Sequence, residues 1–426
     1  MENQQLTVVD DELAAIEAEE RRAEKIQALG QELSRKLDTA ISEKRSVEQR
    51  WIEDLRQYHG QYDPKTLEAI RGGEGSEVFV NMTRPKTNAA EARLSEMLLP
   101  TEERNFGIGP TPVPEVMDAL EDESEYMDEQ GRSYPSPEGE GNLNWAELAK
   151  AQVAKARDRA EAMEDEIADQ LSEAGYNAKA RDVIRDACLL GTGILKGPIV
   201  IGRTRRRWNK VNGVHVLETH QALEPWCERV DPWNFFPDMT ASRIEDCEYT
   251  FERRPLTKKR LRELADQPGY MANQIREVLK DDPREYQRTL THVNELREIG
   301  GLSSVGDDAN YELFEYHGPI SKEDLTACGC EVDDDPLTEY EGVVEFIGDR
   351  VIRANIQPLN TADTIYSVFC YETDPVCLFG YGVPYLMRDP QRVMNGSFRM
   401  VMDNSALSVG PQVVVDRNIV MPANGK

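Results

Sequence analysis

Four polar side chains recur at every fourth residue of QRVMNGSFRMVMDN: Gln391, Asn395, Arg399 and Asp403. On a helix this spacing sets two amides, a guanidinium and a carboxylate along one stripe. Their chemistry is hydrogen bonding and ion pairing; no base stands beside a nucleophile. Met394, Phe398, Val401 and Met402 mark a second, apolar stripe at spacings of three and four. An ordinary surface helix has one apolar face and loose charge elsewhere, so two ordered stripes call for two kinds of neighbour. Arg399 and Asp403 are also placed to pair within the helix, in the less favoured order, worth a few tenths of a kcal/mol.

Other chemistry is sparse. The seven cysteines are scattered, and only Cys328-Gly329-Cys330 is close-spaced, with no second pair or nearby histidine to complete a tetrahedral site. No metal site and no cofactor are expected. The chain has no phosphate-cradling G-x-x-x-x-G-K-[ST], no G-x-S-x-G, no H-E-x-x-H and no EF-hand loop. GTGILKG (191–197) lacks the spacing of a nucleotide fingerprint and reads as a tight turn from helix to strand. Among 79 acidic residues, a run such as Asp333-Asp334-Asp335 points to nothing. No catalytic residue is expected, and a two-metal nuclease built from scattered acids is the enzyme alternative. Two basic clusters, RTRRRWNK (203–210) and ERRPLTKKRLR (252–262), are expected to balance carboxylates on neighbouring elements or chains, with Trp208 packed. The competing reading is a local DNA-facing patch.

The elements that position these residues follow from length and pattern. A chain of 426 residues implies two or three domains. With 50 basic and 79 acidic residues its net charge is −29, which disfavours holding nucleic acid but not letting it pass nearby. No apolar run approaches the ~18 residues of a membrane span. The acidic start MENQQLTVVDDELAAIEAEE lacks the features of a signal peptide, so a soluble cytoplasmic product is expected. Residues 10–60 read as a helical arm docked through Ile26, Leu29, Leu33, Leu37 and Ile41. A short strand at Val78–Val80, a helix stopped by Pro100 and a Pro- and acid-rich loop over 101–143 follow. Two helices over 144–191 break at Gly175-Tyr176-Asn177, and strands turn at Val211-Asn212-Gly213. Helix is expected over 256–301, strands at 311–318 and 343–359, helix over 384–407 and strand at 411–416. The fold class is α+β.

From residue 380 onward the sequence resembles the portal, or head-to-tail connector, protein of short-tailed bacteriophages. Gly380, Tyr381, Gly382, Gln391, Asn395, Arg399, Asp403, Asn404 and Pro411 carry the resemblance. Three earlier segments agree in order. They are SEVFVNMTRPKTNAAEARLSEMLLPTEERNFGIGPTP (76–112), NAKARDVIRDACLLGTGILKGPIV (177–200) and DPWNFFPDMTASRIEDCEYTFERRPLTKKRLREL (231–264). The resemblance implies an N-terminal arm (1–60), a wing (61–255, with the acidic insertion at about 101–143) and wing or stem helices (256–310). A clip-like α+β region (311–376), a stem helix with its loop (377–410) and the start of a return strand (411–426) would follow. Portals of this type usually continue further, which implies that a C-terminal part is missing here.

A portal is normally a twelve-subunit ring at one capsid vertex, in the virion, without catalytic activity. Its partners are its own copies, the major capsid protein, the large terminase subunit, tail adaptor proteins and the double-stranded DNA that passes through; no membrane is involved. In such a ring the ladder Gln391, Asn395, Arg399 and Asp403 would bridge subunits or face the channel. Met394, Phe398, Val401 and Met402 would pack within the subunit or against the next. Arg417 and Lys426 would lie near DNA. The alternative from another class is an acidic helical scaffolding or adaptor protein built on the 10–60 helix.

Overall fold

A computed structural model describes residues 2–73, 75–100, 104–111, 113–127, 130–136, 142–211, 214–286, 290–303, 310–332, 339–357 and 364–410. The chain is mixed α and β. It opens with α1 (Glu2–His59), α2 (Pro64–Gly72), α3 (Thr83–Leu98), α4 (Pro114–Ala119), α5 (Trp145–Glu173) and α6 (Tyr176–Leu190). Strands β1 (Thr192–Val211), β2 (Val214–Val230), β3 (Phe235–Pro237) and β4 (Thr250–Leu256) come next, then α7 (Lys258–Ala265), α8 (Ala272–Val278) and α9 (Leu290–Ile299). The remainder is β5 (Tyr311–Ile320), α10 (Lys322–Cys328), β6 (Tyr340–Ile347), β7 (Arg350–Ile356), β8 (Tyr366–Cys370), α11 (Val383–Leu386) and α12 (Arg388–Val409).

Two compact units form. The first comprises Met1–Ala92, Asp182–Lys196 and Arg229–Lys426; the second comprises Arg93–Arg181 and Gly197–Glu228. In the second, α5 ends before Gly175, whose φ of +66° suits the break between α5 and α6. The break expected at Gly175-Tyr176-Asn177 is therefore where the chain turns. β1 is hydrogen-bonded to β2; Asn212 and Gly213, the expected tip, lie outside the described residues. Trp208 is 65% exposed on β1, contrary to the expected packing.

The first unit is built on an antiparallel sheet of order β3-β4-β5-β6-β7. α1 covers one face. Its Ile26, Leu29, Leu33 and Leu37, at helical spacing, pack with Phe236, Phe251, Phe314, Tyr316 and Phe346 of the strands and with Leu325 of α10. The docked arm is thus real, and it runs as a single helix from Glu2 to His59. On the other face Leu261 of α7 with Ile275 and Val278 of α8 meet Leu256, Tyr311, Leu313 and Ile352.

Among the described residues of 256–301 the chain forms the short helices α7, α8 and α9, because Pro268-Gly269 and Pro283 interrupt the pattern. One expectation fails here: the strands expected to make a separate clip are not a separate piece. β4 pairs with β5 from Leu256↔Tyr311 to Thr250↔His317, so 311–356 continues the sheet begun at 235–256.

Beside the α7–α8 cluster that second face carries charge. Glu252↔Glu315 and Glu315↔Glu345 are direct cross-strand partners, setting three carboxylates in one row, an arrangement that repels unless neutralised. Lys196 of β1, itself 2% exposed, donates to Glu252 at 2.7 Å and to Glu315 at 2.6 Å. Arg254 lies 3.0 Å from both carboxylates. His317 is 2.7 Å from Glu315, and the Tyr366 hydroxyl donates to Glu252 at 2.9 Å. Tyr270 and Arg353 hold Glu345 at 2.9 and 3.0 Å. Burial alone would raise the Glu252 and Glu315 carboxyls. At Glu252, Lys196 and Arg254 outweigh it, and at Glu315 His317 joins them, so both stay below the usual carboxylate range. Burial, with Glu315 alongside, pushes Glu345 upward. The ERRPLTKKRLR cluster is, at Arg253 and Arg254, neutralised by Glu312 and Glu315 of the adjoining β5 and by Glu252 of its own strand.

Candidate functional site

α12 gathers the segments singled out in the sequence. Its polar ladder faces inward. Gln391 is 2% exposed and Asn395 3%, both covered by residues 76–82 of the same chain. That segment forms no strand, contrary to the strand expected at Val78–Val80. Its backbone pairs with side chains instead. Ser76 N donates to Asp403 Oδ1 at 2.9 Å, Val80 N to Asn395 Oδ1 at 3.0 Å and Met82 N to Gln391 Oε1 at 3.1 Å. Gln391 Nε2 returns a bond to the Val80 carbonyl at 2.6 Å and another to Asn395 Oδ1 at 3.0 Å. A helix cannot offer lateral backbone groups, so amides four residues apart replace a neighbouring strand.

This corrects the expected role of the ladder. Gln391 and Asn395 are buried and hydrogen-bonded within the chain. Asp403 takes the Ser76 amide in place of Arg399, and Arg399 lies over the Tyr62 ring, 5.3 Å from its centroid. The apolar stripe is inverted too: Met394 is half-buried, while Phe398, Val401 and Met402 are 45%, 60% and 45% exposed. Val393, Met400 and Leu407 join them in solvent. Arg417, Lys426 and the strand expected at 411–416 lie outside the described residues.

The other quoted motifs meet at the base of α12. Trp51 of α1 is fully buried, edge-on to Trp233 of DPWNFFPD at 5.0 Å and to Phe379 at 5.2 Å. Gly191 of GTGILKG touches the Gly-Tyr-Gly stretch so closely that a Cβ there would stand 2.3 Å from the Gly380 carbonyl oxygen, and its φ of +98° also favours glycine. Arg50 stacks on Tyr381 at 4.6 Å and donates to the Gly380 carbonyl at 2.9 Å. Tyr381 in turn stacks on Tyr385 of α11 at 4.4 Å. Sequence reasoning missed Arg50, Trp51 and Asp54. Their signal was a tryptophan and two charges on one stretch of a helix otherwise read only through its aliphatic stripe.

Arg388 anchors α12 to α1, donating to Asp54 Oδ1 from Nε at 3.1 Å and from Nη2 at 2.9 Å, with Glu53 at 2.9 Å from Nη1. Burial pushes Asp54 up to about 7 against the pull of Arg388. A carboxyl whose folded pKa exceeds its unfolded value of about 3.9 gives stability that is complete below that value and lost as pH rises through 7. Wild type should therefore lose stability relative to Asp54→Asn between about pH 4 and 7. Urea midpoints measured across that range check this; parallel curves for the two proteins would contradict it.

Among the described residues no group of three or more His, Cys, Asp or Glu is placed to hold a metal ion. Nor among them is any helix long and apolar enough to cross a membrane. No known protein family's sequence profile matches this chain, and no curated protein matches it at a significant level.

Proposed function

We propose that this chain is the subunit of a phage portal, a closed ring of identical copies at one capsid vertex through which double-stranded DNA is packaged and later ejected. The observation that carries the reading is the exposed apolar row Phe398, Val401 and Met402 on a helix whose polar ladder is already occupied. A 22-residue helix with its hydrogen-bonding face filled from within has its apolar face left for a neighbour. In a closed ring that neighbour is another copy of the same chain. Methionines suit such a contact because they adapt to imperfect shape.

The collinear motifs support the same reading. Residues 191–196, 231–236 and 380–382, within stretches that resemble portal segments, gather near Trp51 and the base of α12, and 76–82, within another such stretch, lie along α12. In this reading α12 is the stem helix, and the sheet with α1 belongs to the wing. The large terminase subunit, tail adaptor proteins and the major capsid protein dock to the ring, which supplies no chemistry. Twelve times −29 gives the ring a charge of −348, a field that lets a duplex slide without adhering.

Light scattering coupled to size exclusion, with negative-stain imaging, tests it. A mass near twelve subunits and rings with a central hole are expected. A small oligomer without a hole fits an adaptor, and magnesium-dependent loss of added DNA fits a nuclease; either result overturns the proposal.

A further inference from the structure

Between the C-terminal part of α1, the turn into α2 and α12 lies a cavity of about 570 Å³. Five cations line it, Arg56, Lys65, Arg388, Arg392 and Arg399, against two carboxylates, Glu53 and Asp63. That excess stands out in a chain of net charge −29. The carboxylates are already engaged: Glu53 lies 2.9 Å from Arg388, and Asp63 lies 3.4 Å from Arg56, which also pairs with Glu295. Arg392 lies 3.8 Å from Asp389, with both side chains largely exposed, a pairing of little strength. Arg399 is seated on the Tyr62 ring, which Phe79 buttresses edge-on at 4.9 Å. Its Nε is buried and, among the described residues, has no hydrogen-bond partner. A buried guanidinium N–H left unpaired is costly, and the usual remedy is a charge-assisted bond from an acceptor.

We infer that this cavity is an oxyanion site, in which Arg399, Arg392 and Lys65 take a phosphate or carboxylate group beside the Tyr62–Phe79 wall. Two sources carry such a group: a diffusible phosphate compound, or an acidic side chain of a second copy of this chain. Only the second source rests on the ring reading.

The probe is inorganic phosphate, titrated by calorimetry into the full chain at fixed ionic strength, with the mass followed in parallel. One phosphate per chain is expected, weakened roughly tenfold or more by Arg399→Gln and unchanged by Lys259→Gln, an exposed cation of α7 outside the cavity. Binding at every protein concentration assigns the site to a diffusible phosphate compound. Binding only in dilute protein, with phosphate lowering the oligomer mass, assigns it to a neighbour's carboxylate. No binding in either state, or binding that Arg399→Gln leaves intact, overturns the inference. Rings at high concentration with no phosphate binding in either the assembled or the dilute state would refute this site alone, and phosphate binding with no rings at any protein concentration would refute the portal reading alone.

Discussion

Replacing Lys196 by methionine is expected to destabilise the first unit by about 3–5 kcal/mol, the range for breaking a buried charge pair by removing one partner. The Lys196 ammonium bridges Glu252 and Glu315, which face each other across β4 and β5. Without it, Arg254 alone must neutralise both carboxylates besides what His317 offers, because Arg353 and Tyr270 are taken by Glu345. Like charges directly opposed in a sheet are unfavourable, and burial removes the water that would screen them. A shift in the urea midpoint corresponding to several kcal/mol is the expected reading. Adding Glu252→Gln to Lys196→Met should recover part of the loss, since it removes one of the two stranded charges. A Lys196→Met protein within 1 kcal/mol of wild type, by the scale of ordinary surface changes, would show that the row does not depend on this bridge.

Gln391→Leu should cost about 3 kcal/mol and release residues 76–82 from α12. The leucine is close in size, so packing changes little, but the Met82 N–H and the Val80 carbonyl lose their partner in a partly buried place, and the buried Thr83 hydroxyl, which still accepts from Gln57, loses the acceptor it donates to. An orphaned buried polar group costs about 1–3 kcal/mol, and such costs are not additive. The measurement is amide hydrogen exchange. Protection at Val80 and Met82 should fall far more than in α5, which lies in the second unit. Equal protection in the variant and in wild type would contradict the account of the ladder.

How much of this was legible in the sequence depends on the type of signal. The aliphatic spacing of Ile26, Leu29, Leu33 and Leu37 gave the docked helix because a helix face needs only its own period to be read. The break at Gly175 and the turn at Gly191 were legible because glycine is the residue that tolerates their positive φ. The four-residue ladder was visible as a pattern, but which partner filled it was not. A segment more than 300 residues earlier in the chain leaves no mark on the helix that receives it. Val78–Val80 looked like a strand because it has strand composition. What it lacks is a strand beside it. The carboxylate row escaped notice because Glu315 and Glu345 alternate with apolar residues as solvent-facing glutamates do, and Glu252 opens the charged run Glu252-Arg253-Arg254. Only the pairing of three strands reveals that they share a buried face. That β5, β6 and β7 continue the sheet begun by β3 and β4 was hidden for the same reason, since strand order is a long-range property.

Val401 gives the most direct test of the idea that α12 presents its apolar face to another copy. A photo-crosslinking phenylalanine derivative placed there, 60% exposed in the single chain, would sit in the proposed contact. Irradiation of the purified protein should yield covalent dimers and a ladder of higher multiples, with the crosslinked peptide mapping to the same chain. Products confined to the single-chain mass, at protein concentrations spanning the micromolar range, would contradict it.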